Sequence, residues 1–307
     1  MEFELIKSIY NYINIEKKSN RALDAFIFDY RITTNGTLLN KDKICFFIKN
    51  NFYLDISIDG PKSEHDQFRV FKNNSGSWQK IMNGIEKIWS QDKVYCSNKV
   101  GFMCTLHPAH DGSKIDSFFL SNKHLFEDRV KFNLIDFENI EGKYKDILAN
   151  KFIKSKLYKK MVFDDLKSKL NTKYFSNKTK FTGACFPGGN RIFVTSRGDF
   201  KICEKMDDHF PFIGNAFTGF DFDVIRDIIV EYNREIVRNK CWKCDCWFLC
   251  SICWSNAMKD NKIVFQCNRQ LDSKNKMMTK YIESLEKERE PRKRSVESIS
   301  DFISILN

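Results

Sequence analysis

The sequence predicts an α/β fold, a parallel sheet with crossover helices, followed by a small cysteine-rich domain. Two observations carry this. Strand-like and helix-like apolar periodicities alternate in order through the first 170 residues. Eight of the 11 cysteines then crowd between Cys185 and Cys267. The boundary falls near 171–180, where Asn171, Asn177 and a run of Lys and Thr replace the periodic pattern. The expected division is 1–175, 176–270 and a C-terminal helix and tail over 271–307.

Taken in order, Phe3, Ile6, Ile9, Tyr10 and Ile13 recur at helical spacing. Ala25 to Thr33 is a run of β-formers, and Ile44, Phe47 and Ile48 mark a short helix. Tyr53 to Ile58 is strand-like. Trp78, Ile81, Met82, Ile85, Ile88 and Trp89 trace one helical face, with Ser77 as its expected N-cap. Val100 to Leu106 and Val130 to Ile135 supply two more strands. Between them, Asp111-Gly112 reads as a turn and 113–120 as a helix with Ile115, Phe118 and Phe119 apolar. Lys151 to Leu170 reads as a long helix. The tail carries Met277, Tyr281 and Leu285 at helical spacing until Pro291 breaks it.

Composition narrows the function classes. Charged residues are 30% and apolar ones 42%, with 29 Phe, which excludes wholesale disorder. No apolar run approaches a membrane span. Met1-Glu2-Phe3-Glu4 lacks a basic, apolar leader, so a cytoplasmic protein is expected. The cysteines then read as thiols, metal ligands or redox centres rather than a disulfide framework. Cys45, Cys96 and Cys104 lie within the first-half pattern and read as buried small apolar residues. A net charge of +11 permits an acidic partner. Abundant Lys, Asn, Ile and Phe is also what AT-rich coding produces, so charge alone selects none, and neither nucleic acid nor membrane is expected.

Polar residues gather where the predicted strands end, which is where parallel sheets and barrels bind ligands. One strand ends in Thr33-Thr34-Asn35-Gly36-Thr37-Leu38. The next ends in Ser57-Ile58-Asp59-Gly60-Pro61-Lys62, followed by His65-Asp66, Arg69 and Gly76-Ser77. Singly, Asn35-Gly36 and Asp59-Gly60-Pro61 are ordinary turn chemistry. Together, the segment resembles the middle of the radical S-adenosylmethionine (SAM) enzymes, in their peptide- and sulfatase-maturase branch. The resemblance implies a partial (β/α) barrel, with about four of six units present. It also implies that Ser57 and Arg69 contact SAM, with Asn35 on the same face. A guanidinium pairs with a carboxylate in forked geometry, which suits Arg69. The competing role for Arg69 is an ion pair with Asp59 or Asp66 that holds the loop.

Cys241-x2-Cys244 and Cys250-x2-Cys253 let one turn present two thiolates to one metal, and soft thiolates select zinc or iron–sulfur clusters. Cys185 is followed after 12 residues by Gly198 and after four more by Cys203, then by Cys241, Cys244, Cys250, Cys253 and Cys267. This resembles the SPASM domain, the auxiliary-cluster module of the same family. The resemblance implies one auxiliary 4Fe–4S cluster on Cys241, Cys244, Cys250 and Cys267. Cys185, Cys203 and Cys253 would serve a second. Arg197-Gly198-Asp199 would be the hairpin turn between Cys185 and Cys203. The chain departs from the pattern in two places. Trp254 stands where the family's next cysteine is expected, which bears on Cys253. An extra upstream cysteine is absent near Thr179, leaving the first cluster with an open iron, with Cys246 as ligand, or missing. Glu204, directly after Cys203, is by resemblance a candidate base; its alternative is a surface position beside Lys201 and Lys205.

The family's defining Cys-x3-Cys-x2-Cys after its first strand is absent from the first half, as is its Gly-Gly-Glu-Pro-like segment. Phe3-Glu4-Leu5-Ile6 resembles the stretch directly after that segment, so the expectation is an N-terminally truncated relative. Alone, it would not cleave SAM. The implied function is maturation of a ribosomal peptide or protein side chain, with an electron donor and a chain that supplies the first barrel strands as partners. SAM would be a cofactor only with that segment supplied. The alternatives are a zinc-binding interaction module and a cluster-binding scaffold without catalysis.

Overall fold

The computed structural model describes residues 2–23, 25–107, 109–134, 155–158, 160–161, 164, 185–189, 191–206, 210–244, 254–259, 262–265, 267 and 279. The chain divides into two compact units, Met1–Asp164 and Asp165–Asn307.

The first unit is built on four strands in the order β1 (Arg31–Thr34), β2 (Tyr53–Ser57), β3 (Val100–Leu106) and β4 (Val130–Leu134). All adjacent pairs are parallel, with Thr34 opposite Ile56, Ile56 opposite Phe102 and Cys104 opposite Phe132. The crossovers carry helices, as parallel pairing requires. They are α2 (Lys41–Lys49) after β1, then α3 (Lys62–His65), α4 (Trp78–Gln91) and α5 (Lys93–Lys99) after β2. After β3 come α6 (Gly112–Ser121) and α7 (Lys123–Phe126), and α1 (Phe3–Ser19) precedes the sheet. Burial alternates along β2 and β3, so Leu54, Ile56, Val100, Phe102, Cys104 and Leu106 face one apolar layer. Phe47, Ile81, Ile85, Ile88, Ile115 and Phe126 of the helices fill it.

The predicted strand over Ala25–Thr33 is largely corrected: regular pairing begins only at Arg31. β2 starts at Tyr53, so residues 25–29 have no ladder partner there, and Phe26 and Ile27 are exposed. β-forming composition without a neighbour makes no strand. Ser77 is likewise no side-chain cap of α4. Asp66 takes that role, its Oδ1 accepting the Trp78 N–H at 2.9 Å. Asp111 is more than a turn residue. It N-caps α6, accepting the N–H groups of Ser113 and Lys114. Cys96 and Cys104 are fully buried, whereas Cys45 is exposed, with Gln91 Nε2 at 2.8 Å from its sulfur. Most of the predicted helix over Lys151–Leu170 lies outside the described residues. At its start, Ser155 Oγ donates to Asp116 at 2.7 Å, and the Tyr158 N–H donates to that hydroxyl.

The second unit pairs short antiparallel strands: β5 (Phe193–Val194) with β6 (Phe200–Lys201), and β7 (Gly214–Asn215) with β8 (Gly219–Phe220). Its longest described helix is α8 (Phe222–Arg238), N-capped by Asp221. A second short helix, α9 (Trp254–Ala257), precedes the pair β9 (Met258–Lys259) and β10 (Lys262–Ile263). Ile202, Phe210, Ile213, Ile228, Trp254 and Phe265 form its apolar core. The tail after 270 lies outside the described residues except Thr279. No helix among the described residues is long and apolar enough to cross a membrane.

Candidate functional site

Three adjacent strands bring their C-terminal ends to one edge of the sheet, and the polar residues singled out above stand there. Asn35 follows β1, exposed, its Oδ1 accepting the N–H and hydroxyl of Thr37 at 3.2 and 2.9 Å. Gly36 behind it adopts φ +73°, and a Cβ there would lie 3.0 Å from Ile56 Cγ2, so only glycine fits. Ser57 ends β2, half-buried, its hydroxyl making no hydrogen bond among the described residues.

Arg69 sits on the loop beyond α3 and reaches back to Asp59. Its Nε and Nη2 donate to the two carboxylate oxygens, the second at 3.2 Å. Asp59 Oδ1 also accepts the Thr105 N–H of β3 at 2.8 Å, and Arg69 Nη2 makes a long 3.4 Å contact to the Thr105 hydroxyl. One buried carboxylate thus ties β2, β3 and the Arg69 loop together. This is the loop-holding pair that competes with ligand contact in the sequence. The Arg69 side chain is 29% exposed, against 4% for Asp59. Thr105 carries no signal in the sequence; only parallel register places it beside Asp59.

His65 organises the same loop from below. It is fully buried. Its Nδ1 accepts the Asp59 N–H at 3.1 Å, so Nδ1 carries no proton. Nε2 then carries it and donates to Ser77 Oγ at 3.0 Å. Ser77 passes the direction on, donating to the Arg69 carbonyl at 2.7 Å. This chain needs neutral imidazole, and burial agrees, pushing the His65 pKa down to about 4 against the opposing pull of Asp59. Glu64, also buried, accepts the Asp111 N–H at 2.8 Å and faces Lys114, fixing the loop after β3. Within that loop His110 Nδ1 accepts the His107 N–H at 3.1 Å, while His110 Nε2 is buried with no hydrogen-bond partner among the described residues. Burial lowers the pKa of both histidines.

In the second unit the predicted turn is present. Gly198, at φ +89°, donates to the Thr195 carbonyl, and Thr195 and Asp199 close the hairpin between β5 and β6. Cys203 follows β6 and is buried; Glu204 beside it is exposed. Cys185 is exposed, but its carbonyl accepts the Trp254 indole N–H at 2.6 Å. Trp254 is therefore a buried anchor of the Cys185 segment. Cys241 begins a 3₁₀ turn directly after α8, and Cys244 closes it, donating its N–H to the Cys241 carbonyl. The Cys267 thiol is pushed up by burial, then by the neighbouring Cys244 and Glu235. Cys246, Cys250 and Cys253 lie outside the described residues. Among the described residues no group of three or more His, Cys, Asp or Glu converges as a metal site. Thiolate is the donor chemistry that a cluster or zinc takes, and Cys241, Cys244 and Cys267 supply it, though among the described residues they do not converge as a metal site. The sequence also contains one Cys-x3-Cys-x2-Cys, at Cys246, Cys250 and Cys253, a frame that overlaps the SPASM assignment of Cys250 and Cys253.

The fold of this chain, a parallel four-stranded sheet followed by a cysteine-rich unit, is similar to that of solved structures of anSMEcpe. The structure aligns with anSMEcpe bound to AdoMet over 90% of this chain and 74% of that one, with a TM-score of 0.58 and 19% identity. It aligns equally over this chain with anSMEcpe bound to AdoMet and the Kp18Cys peptide, with a TM-score of 0.56. No protein-family model matches. In sequence the chain is 46% identical over 84 residues to the cysteine-type anaerobic sulfatase-maturating enzyme of Clostridium novyi. It is 46% identical over 57 residues to the serine-type enzyme of Bacteroides thetaiotaomicron. The matched segments span 21% and 14% of those proteins and 27% and 19% of this chain. Its homologues are thus anaerobic sulfatase-maturating enzymes, the branch that the sequence resembles.

Proposed function

We propose that the chain is a radical SAM/SPASM maturase-like protein that acts on a peptide or protein side chain. The observation that carries this is the polar strand-end edge: Asn35, Ser57 and Thr105 stand at the C-terminal ends of three adjacent parallel strands, and Arg69 reaches Thr105 from the loop beyond α3. In this reading Ser57 offers its hydroxyl and the half-buried Arg69 its guanidinium to the carboxylate and ribose of SAM. The Asp59 pair, held by His65, fixes the direction of Arg69 before ligand arrives, so little ordering is left to binding. In the second unit Cys241, Cys244, Cys250 and Cys267 hold one auxiliary 4Fe–4S cluster, and Cys185, Cys203 and Cys253 serve a second. When bound, these clusters supply and accept single electrons. Glu204, exposed beside Cys203, accepts a proton released during oxidation of the substrate carbon. Cleavage of SAM needs a further cluster on a Cys-x3-Cys-x2-Cys segment, so SAM is a cofactor only where that segment is supplied. The setting is cytoplasmic, with an electron donor.

The test is anaerobic purification followed by iron, acid-labile sulfide and zinc counts, with SAM binding measured by equilibrium dialysis. Iron and sulfide near four or eight each per chain are expected for one or two clusters. SAM binding is expected to weaken about tenfold or more in Arg69→Ala, from loss of a charge-assisted hydrogen bond. Stoichiometric zinc without sulfide would overturn the cluster assignment, and SAM binding indifferent to Arg69 and Ser57 would overturn the site.

A further inference from the structure

Helix α8 leads into the turn that carries Cys241 and Cys244, and packs on the segments of Trp254 and Phe265. Tyr232, on its buried face, packs against Trp254 at 4.6 Å and Phe265 at 4.8 Å between ring centroids. Trp254 in turn holds the Cys185 carbonyl. One turn further along, Glu235 is 4% exposed, unusual for a carboxylate. Its Oε2 accepts the Phe265 N–H at 3.1 Å, two residues before Cys267. Asn239 caps the helix, its side-chain amide donating to the Glu235 carbonyl at 2.8 Å and reaching Oε2 at 3.4 Å. Two residues beyond Asn239 is Cys241, which begins the turn that Cys244 closes. Arg238 pairs with the outer oxygen of Glu235 from solvent. A single buried carboxylate therefore joins the strand leading to Cys267 and the helix end leading to Cys241 and Cys244.

We propose that Glu235 is a positioning residue for the thiolate set, holding the Cys267 segment in fixed register with the Cys241–Cys244 turn. This rests on the reading that these cysteines bind a common group, but the clamp itself is a property of the polypeptide. A buried charged acceptor is the strongest hydrogen-bond partner available to the lone Phe265 N–H. Sequence spacing does not show this, because Glu235 and Phe265 are 30 residues apart.

The test separates the clamp from the cluster. In metal-free full-length protein, diamide takes two electrons and two protons from a pair of thiols, and the Cys244–Cys267 disulfide is quantified by peptide mass spectrometry. Glu235→Ala, Glu235→Asp and Glu235→Gln are compared with wild type. Glutamine keeps an oxygen acceptor at the same reach; aspartate keeps the charge but is one methylene short. Cross-linking is expected to fall about tenfold in Glu235→Ala and Glu235→Asp, the factor for loss of one charge-assisted hydrogen bond, and to be rescued in Glu235→Gln. After anaerobic reconstitution, the electron paramagnetic resonance spectrum of the reduced protein is expected to broaden in Glu235→Asp and match wild type in Glu235→Gln. If alanine fails to fold, the Asp and Gln pair decides. Equal cross-linking in Glu235→Asp and wild type overturns the proposal. Absence of iron and sulfide in wild type would instead overturn the cluster reading, while the cross-linking result still decides the clamp.

Discussion

Acid should weaken this protein in part through His65. His65 accepts the Asp59 N–H at Nδ1 and donates from Nε2 to Ser77, an arrangement open only to neutral imidazole. A second proton would set a donor against the Asp59 N–H in a buried site. Burial accordingly lowers the His65 pKa to about 4 from the ordinary 6.5. The folded protein then binds fewer protons than the unfolded chain between these values, so stability rises with pH across that window. The contribution is complete above about pH 6.5, is lost progressively as pH falls, and is gone below about pH 4. The size is roughly 3 kcal/mol, at 1.36 kcal/mol for each tenfold change in proton affinity. Urea unfolding at intervals from pH 4 to 7.5 measures it, with His65→Asn as reference, since the Asn carbonyl can still accept the Asp59 N–H and does not titrate. The wild type minus variant difference should fall by about 3 kcal/mol between pH 7 and 4. An NMR titration of the His65 ring gives an independent reading. A difference flat with pH, or a ring that titrates near 6.5, refutes the neutral-imidazole account.

The remaining predictions concern the same edge and the cysteines. Asp59→Ala strands the Arg69 guanidinium and the Thr105 N–H, and should cost about 3 kcal/mol in urea unfolding. Gly60→Ala forces a side chain into φ +97° with its Cβ 2.9 Å from Ile115 Cγ1, and should cost roughly 1–3 kcal/mol while weakening SAM binding through the shifted Asp59 loop. Cys246→Ala separates the two frames open to the overlapping cysteines. Under the SPASM assignment with four thiolates from Cys241, Cys244, Cys250 and Cys267, iron per chain is unchanged. A loss of about four irons, one whole cluster, makes Cys246 a ligand.

The share of the fold and site that was legible in the sequence depends on the range of the interactions. Strands β2 and β3 could be read directly, since each keeps a period of two against one apolar layer. The stretch before Arg31 could not, because its β-rich composition says nothing about whether a neighbour starts soon enough to pair with it. The cap of α4 was hidden for the same reason: Ser77 has the right identity and place, but Asp66, from the preceding turn, reaches the Trp78 N–H first. Freed from capping, Ser77 becomes the link between His65 and Arg69. The strand-end residues were visible as a family pattern, yet the partner that sets the direction of Arg69 was one of two candidates until Asp59 was seen to take it. In the second unit the cysteine spacing was plain, and its departures were too. The meaning of Trp254 was not: as a letter it stands in a cysteine's place, and as a structure it is the buried hydrogen-bond donor to the Cys185 carbonyl. Glu235 gave no signal at all, being one acidic residue in a charged amphipathic helix. Its importance arises only when folding removes it from water and brings the Phe265 N–H to its Oε2. Spacing thus identifies the atoms that carry chemistry, whereas the groups that aim them are found by asking where each buried polar atom sends its hydrogen bonds.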